Sequence, residues 1–237
     1  GLWSWYHYLI RSGQHDKIEI NIPESVRLGF PFQHRSLEYW LCEDPSSHVR
    51  IRLAGACHYP EVQARLVMDP EREVRIALAE NRHLSAYCHR VMASDPSKGV
   101  MIALAQNTHF TEDIEKAGFG ILAFFEDEDV RAAAASNPKT PQFILERHCI
   151  RDESEKVKIG AALNPSLGKK LHRQMQSKLH LEMNVRQERN IVVALASNSA
   201  ADADFLTELA KSENHAYRAA AAANPNTPEE LQLALYN

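Results

Sequence analysis

Three histidines, His58, His83 and His109, recur at nearly equal spacing, and Cys57 precedes the first of them. Imidazole and thiolate are preferred zinc ligands, but one ion needs its ligands at about 2 Å from a single centre. Packed helices stand about 8–10 Å apart, so this row reads as exposed turn histidines and no metal site is expected. Cys88-His89 has no second pair to complete a site. The run Glu126-Asp127-Glu128-Asp129 offers the paired carboxylates that acid–base chemistry uses. It directly precedes Val130, where a helix is expected, and negative charge at a helix N-terminus is favourable without any catalytic role. The chain contains no G-x-S-x-G, P-loop, H-E-x-x-H or glycine-rich dinucleotide fingerprint. It is therefore read as a non-enzyme that needs no cofactor.

Cations form two other patterns. Arg50, Arg75, Arg131, Lys158 and Arg218 each follow an apolar anchor residue, and Met101 and Val192 interrupt the row. Cap carboxylates such as Asp44, Asp69 and Asp152 are the expected partners of these cations, in the same or a neighbouring unit. The segment from Pro165 to Arg189 holds six cations, Lys169, Lys170, Arg173, Lys178, Arg186 and Arg189, against Glu182 and Glu188. Such a local excess can attract an acidic protein surface or a nucleic-acid backbone. Lys169, Lys170, Arg173 and Lys178 are the candidate partner-binding residues, with Leu171, Met175 and Leu179 turned inward.

The whole chain sets limits on both readings. Its 237 residues carry 27 basic against 31 acidic side chains, so it is no polycation. No apolar run reaches the roughly 18 residues of a membrane span. Cys42, Cys57, Cys88 and Cys149 are too sparse for a disulfide framework, which points to reduced thiols and a cytoplasmic location. The first residues lack the pattern of a signal peptide.

A repeat positions these residues. Seven segments begin at Val49, Val74, Val100, Val130, Val157, Ile191 and Tyr217, and the sixth place of each is alanine. Six of the seven end in asparagine. In the clearest unit Asp69-Pro70 is expected to cap and open a helix, with Val74, Ala77 and Leu78 on one apolar stripe. Asn81 is expected to end that helix in the left-handed conformation. A second, shorter helix follows each turn, opened by Thr140-Pro141 and Thr227-Pro228 in two of the units. Ala77, Ala103, Ala133, Gly160, Ala194 and Ala220 are expected at inner positions that permit close helix approach. Insertions fall after Asn107 and after Asn164, and the first brings Phe119, Phe124 and Phe125, expected in the core. The repeats span residues 44–237. Residues 1–43, with Trp3, Trp5, Tyr6, Tyr8, Phe30, Phe32, Tyr39 and Trp40, are expected to form an aromatic N-terminal cap, with an aromatic pocket for a partner as the alternative, and Ile18, Ile20 and Ile22 suit a short extended segment.

The pattern Asp-Pro-x-x-x-Val-Arg-x-x-Leu-Ala-x-Asn, followed by proline, resembles the leucine-rich repeat variant family. The unit is shorter than the roughly 34 residues or more of TPR, armadillo and HEAT repeats. The resemblance implies an all-α, right-handed solenoid of α-helices alternating with short 3₁₀ helices and no sheet in the repeats. The family's iron–sulfur module is not carried over, because Cys42 is the single thiol before the repeats and a cluster takes four. The function expected is a non-enzymatic scaffold that binds another protein. The alternatives are nucleic-acid binding through residues 165–189 and a metal or iron–sulfur accessory role.

Overall fold

The computed structural model describes residues 23–30, 35–109, 120–179 and 188–236. Every regular element among them is an α-helix. The extended segment expected at Ile18, Ile20 and Ile22, the aromatics Trp3, Trp5, Tyr6, Tyr8 and Phe32, and Phe119 lie outside the described residues. The chain divides into two compact halves, residues 1–114 and 115–237.

The N-terminal half contains α1 (Glu24–Arg27), α2 (Arg35–Leu41), α3 (Ser47–Ala56), α4 (Pro60–Leu66), α5 (Arg72–Ala79), α6 (Ala86–Met92) and α7 (Lys98–Gln106). Here α3, α5 and α7 pack side by side, and α4 packs on α6. The C-terminal half contains α8 (Glu128–Ser136), α9 (Gln142–Arg151), α10 (Glu155–Leu163), α11 (Lys169–Leu179), α12 (Glu188–Ser197), α13 (Ala203–Ala210), α14 (His215–Ala223) and α15 (Glu229–Tyr236). In it α8, α10, α12 and α14 pack in succession, with α9, α11, α13 and α15 following each of them and leaning against the layer.

The shorter elements are α-helices of seven to eleven residues rather than the 3₁₀ turns that the family resemblance implies. A 3₁₀ helix rarely holds beyond three or four residues, because its hydrogen bonds are poorly aligned. Their buried leucines, Leu66, Leu145, Leu171, Leu206 and Leu209, fall three or four apart or at matching places and close the core under the first layer.

Two side-chain devices join neighbouring helix pairs within the halves, and each corrects an expectation. Asn107, Asn137, Asn164 and Asn224 follow their helices in extended, not left-handed, backbone. What selects asparagine is its amide. Asn81 donates to Ala54 O at 2.7 Å and Cys57 O at 3.0 Å, Asn164 to Ala135 O and Asn137 O at 2.7 Å, and Asn198 to Ala162 O and Asn164 O. The other amide atom, Oδ1, accepts the N–H two residues on, as from His83 and Ser166. Asn81, Asn107, Asn164, Asn198 and Asn224 thus satisfy buried carbonyls of the preceding pair that would otherwise be orphaned at a helix end.

The aspartates do not cap their helices either. Glu71 is the N-cap of α5 and Ser97 that of α7, two residues beyond Asp69 and Asp95. Asp69 Oδ1 accepts the Glu71 N–H at 2.9 Å, and its carboxylate receives the Arg50 guanidinium through Nε at 2.7 Å and Nη2 at 3.2 Å. Arg75 grips Asp95 in the same fork, and Arg131 grips Asp152. Asp95 and Asp152 continue what the sequence suggested for this cation row. A further fork joins Arg27 of α1 to Asp44, so residues of the expected cap share the geometry of the repeats. Thr140 and Thr227, expected as caps, donate their hydroxyls back to Ala134 O and Ala221 O instead.

Small residues set the helix spacing. Ala103, Ala133, Gly160, Ala194 and Ala220 are buried, while Ala77 is half-buried. A Cβ built on Gly160 would stand 2.9 Å from the Ala132 carbonyl oxygen of α8 and 2.7 Å from Ser136 Oγ. The Ser136 hydroxyl can rotate; the carbonyl cannot move without the helix. Gly160→Ala therefore costs about 1–3 kcal/mol in urea unfolding, less the ~1 kcal/mol that alanine gains in helix propensity.

Candidate functional site

Lys169, Lys170, Arg173 and Lys178 all lie on α11. Leu171 and Met175 are buried beneath them and Leu179 is half-buried, as the amphipathic pattern requires. Lys169 and Lys170 are exposed. Arg173 is not a free cation: its Nε lies 3.1 Å from Asp202 Oδ2, and Asp202 also caps α13 by accepting the Phe205 N–H. Asp204 and Glu208 of α13 line the same cleft as Arg173, about 310 Å³ in volume. Arg186 and Glu182 lie outside the described residues.

The helices bring together residues that the linear count of charges separates. Side chains four apart on a helix share a face. On α9, Phe143, Arg147 and Arg151 form such a stripe, and all three are exposed. On α11 the matching register holds Lys170, Gln174 and Lys178, and on α13 it holds Asp204 and Glu208. Phe143 is 65% exposed at the head of the α9 stripe, so an apolar ring stands among cations with α11 packed alongside.

Beside this stripe a cleft of about 340 Å³ is lined by Phe124, Arg131, Arg147, His148, Arg151 and Asp152, with other residues. Phe124 was expected in the core, but it is 48% exposed and the Arg147 guanidinium lies 4.8 Å from its ring centroid. A cation over an aromatic face is attracted by the ring quadrupole and needs no burial of the ring. Below it, His148 Nδ1 is 3.3 Å from Asp152 Oδ2. Burial pushes the His148 imidazole below its usual range, with Asp152 pulling the other way. Burial raises Asp152, but the hydrogen bonds from Arg131 and the Ser154 N–H and the charges of Arg131 and His148 together outweigh it, and the carboxyl is held low. In this histidine–aspartate pair His148 is buried and Asp152 already holds Arg131. The acidic run ahead of α8 is used as expected: Asp127 caps the helix, accepting the N–H groups of Asp129 and Val130.

The histidine row is tighter than backbone spacing suggests. His58 and His83 stand with ring centroids 4.1 Å apart, their side chains leaning together from adjacent turns. Partial burial first, then the neighbouring charges of His58, Arg82 and His109, hold His83 below its ordinary value. Cys57 cannot join them as a ligand, since it is buried with its thiol pushed up to about 12. No group of three histidine, cysteine, aspartate or glutamate side chains is arranged to hold a metal among the described residues. Cys42, Cys57 and Cys88 are free thiols, all buried.

Two buried titratable groups in the N-terminal half have opposite effects. Burial raises Glu38 to about 7, despite the backbone N–H groups of His58 and Tyr59 nearby. Burial lowers His89 to about 4. The Glu38 stability is whole below the unfolded value of 4.5 and is lost as pH rises through about 7. The His89 contribution is whole above the unfolded value of 6.5 and is lost as pH falls through about 4. The two slopes offset each other across mildly acidic pH. Glu38→Gln removes one of them: at pH 8 the variant gains about 3 kcal/mol in urea unfolding, and at pH 4 it matches the wild type. Its stability then falls more steeply on acidification than that of the wild type.

No helix among the described residues is long and apolar enough to cross a membrane. Neither a comparison with protein-family models nor a search of curated proteins returns a match for this chain.

Proposed function

We propose that this chain is a non-enzymatic, macromolecule-binding scaffold. In this reading the helix pairs form a right-handed α-solenoid of seven short repeats, of the leucine-rich repeat variant kind. It binds another protein in a reducing compartment such as the cytosol. The observation that carries the reading is the exposed stripe Phe143, Arg147 and Arg151, beside Lys170, Gln174 and Lys178 in matching register. Aromatic and arginine side chains are the residues that most often anchor protein interfaces. The partner surface that fits them is an acidic segment with an apolar side chain for Phe143 and the Phe124 cleft. Lys169, Lys170, Arg173 and Lys178 supply the flank of that contact.

The acidic stripe on α13 argues against nucleic acid, because phosphates following the cations of α9 and α11 would meet Asp204 and Glu208 next. A photo-cross-linking residue at Phe143, with one at Glu80 as control, tests the reading in native host cells. The scaffold reading expects a defined protein adduct from position 143 that disappears with Arg147→Glu plus Arg151→Glu while the helical circular dichroism is unchanged. Adducts to nucleic acid alone, or tight DNA binding with a steep salt slope lost in Lys169→Ala plus Arg173→Ala, contradict it and favour the nucleic-acid reading.

A further inference from the structure

Gln63 ties two turns of the N-terminal half together. Its side chain is fully buried, and Nε2 donates to Cys57 O at 3.1 Å and to His83 O at 2.9 Å. Its Oε1 accepts the Ser85 N–H at 2.8 Å. Asn81 adds a second strap: Nδ2 donates to Cys57 O at 3.0 Å, and Oδ1 accepts the His83 N–H at 2.7 Å. Buried amides thus fix the backbone at Cys57 and His83, so the His58 and His83 side chains rise from positions set relative to each other. Both rings are exposed, and their nitrogens have no hydrogen-bond partner among the described residues. Nothing in the fold spends these four nitrogens.

Helix spacing does not separate the two rings, whose centroids are 4.1 Å apart with planes inclined at 34°. An ion about 2.0 Å from an imidazole nitrogen stands about 3.2 Å from that ring's centroid. Two rings 4.1 Å apart then subtend about 80° at a shared ion, near the ~90° of neighbouring places in a tetragonal site. The ~109° of tetrahedral zinc would hold the centroids about 5 Å apart. We propose that His58 and His83 chelate one divalent ion of tetragonal preference, nickel or copper, with water completing its coordination. Partial burial and the neighbouring charges hold His83 below its ordinary value, which keeps it in the neutral form that ligates. His109 belongs to the next turn, and no group of three ligands is arranged for a metal among the described residues, so two protein ligands define the site. The inference is independent of the α9 stripe and stands or falls without it.

Titrating the full chain with Cu²⁺, Ni²⁺ or Zn²⁺ alone, followed by calorimetry and by NMR of the histidine rings, tests the pair. Substoichiometric Cu²⁺ is expected to broaden the His58 and His83 ring resonances before those of the other histidines. His58→Gln and His83→Gln each weaken this first binding step about tenfold or more, because one imidazole cannot chelate, whereas His109→Gln changes it less than about twofold. All three side chains are exposed, so these variants keep the fold. Ni²⁺ is expected to bind the pair more tightly than Zn²⁺. Broadening that begins at other histidines, or a first step indifferent to either substitution, overturns the pair as a site. Zn²⁺ binding tighter than Ni²⁺ through the same two rings overturns the tetragonal assignment. A loss with His109→Gln as large as that with His83→Gln overturns the two-ligand site.

Discussion

Asn164→Ala lowers the stability of the chain by about 3–5 kcal/mol, measured as a shift of the urea midpoint at unchanged slope. The side chain makes three hydrogen bonds in a fully buried place: Nδ2 to Ala135 O and to Asn137 O, both at 2.7 Å, and Oδ1 from Ser166 N–H at 2.8 Å. Removing it leaves two carbonyls and an N–H unpaired, and each buried unsatisfied group costs about 1–3 kcal/mol. Asn164→Asp tests the direction of donation. It keeps the volume and the acceptor for Ser166 but turns the donor into an oxygen facing two carbonyls, so it is at least as damaging as alanine at pH 7. A loss below about 1 kcal/mol for both variants would mean that water replaces the amide.

Arg75→Met costs about 3–5 kcal/mol, because it leaves the buried Asp95 carboxylate without its fork. The Arg75 and Asp95 side chains are 12% and 6% exposed, too little for solvent to compensate. Changing both partners has a smaller effect than changing one. The chain itself contains the neutral substitute, Val192 with Ser212, whose hydroxyl still accepts the N–H that an aspartate would accept. Arg75→Val combined with Asp95→Ser accordingly costs about 1–2 kcal/mol, less than Arg75→Met alone. Equal costs for the single and double variants would show that the fork contributes through packing and not through charge.

The helical class was legible because apolar residues and alanines recur in helical phase, and that phase survives without any tertiary information. The salt-bridge partners were legible for the same reason: an arginine directly follows Val49, Val74 and Val130, and an aspartate stands five residues before Val49, Val74, Val100 and Val157. The role of the asparagines was not. A residue that ends a helix suggests a local turn, whereas the partners of Asn81 lie 24 and 27 residues earlier, at Cys57 and Ala54. Arg27 escaped notice because only Val26-Arg27 matches the repeat around it, and its helix has just four residues. The basic insertion misled in a different way. Counting charges along residues 165–189 cannot register Asp202, which holds Arg173 from 29 residues away. The α9 stripe was hidden because Phe143, Arg147 and Arg151 become neighbours only on a helix; their spacing of four was present in the sequence and is the signal that could have found them.

Tandem duplication of residues 138–164, inserted after Asn164, tests directly whether the helix pairs stack as modules that need only their neighbours. The junction reproduces the native Asn-Pro step, and the duplicated Asn164 meets Ala162 O and Asn164 O as Asn198 now does. A modular array folds with one more helix pair, keeps its helical signal per residue and unfolds with a steeper urea dependence in proportion to its length. A duplicated chain that aggregates, or loses cooperative unfolding, would show a single indivisible core and contradict the scaffold built upon the repeats.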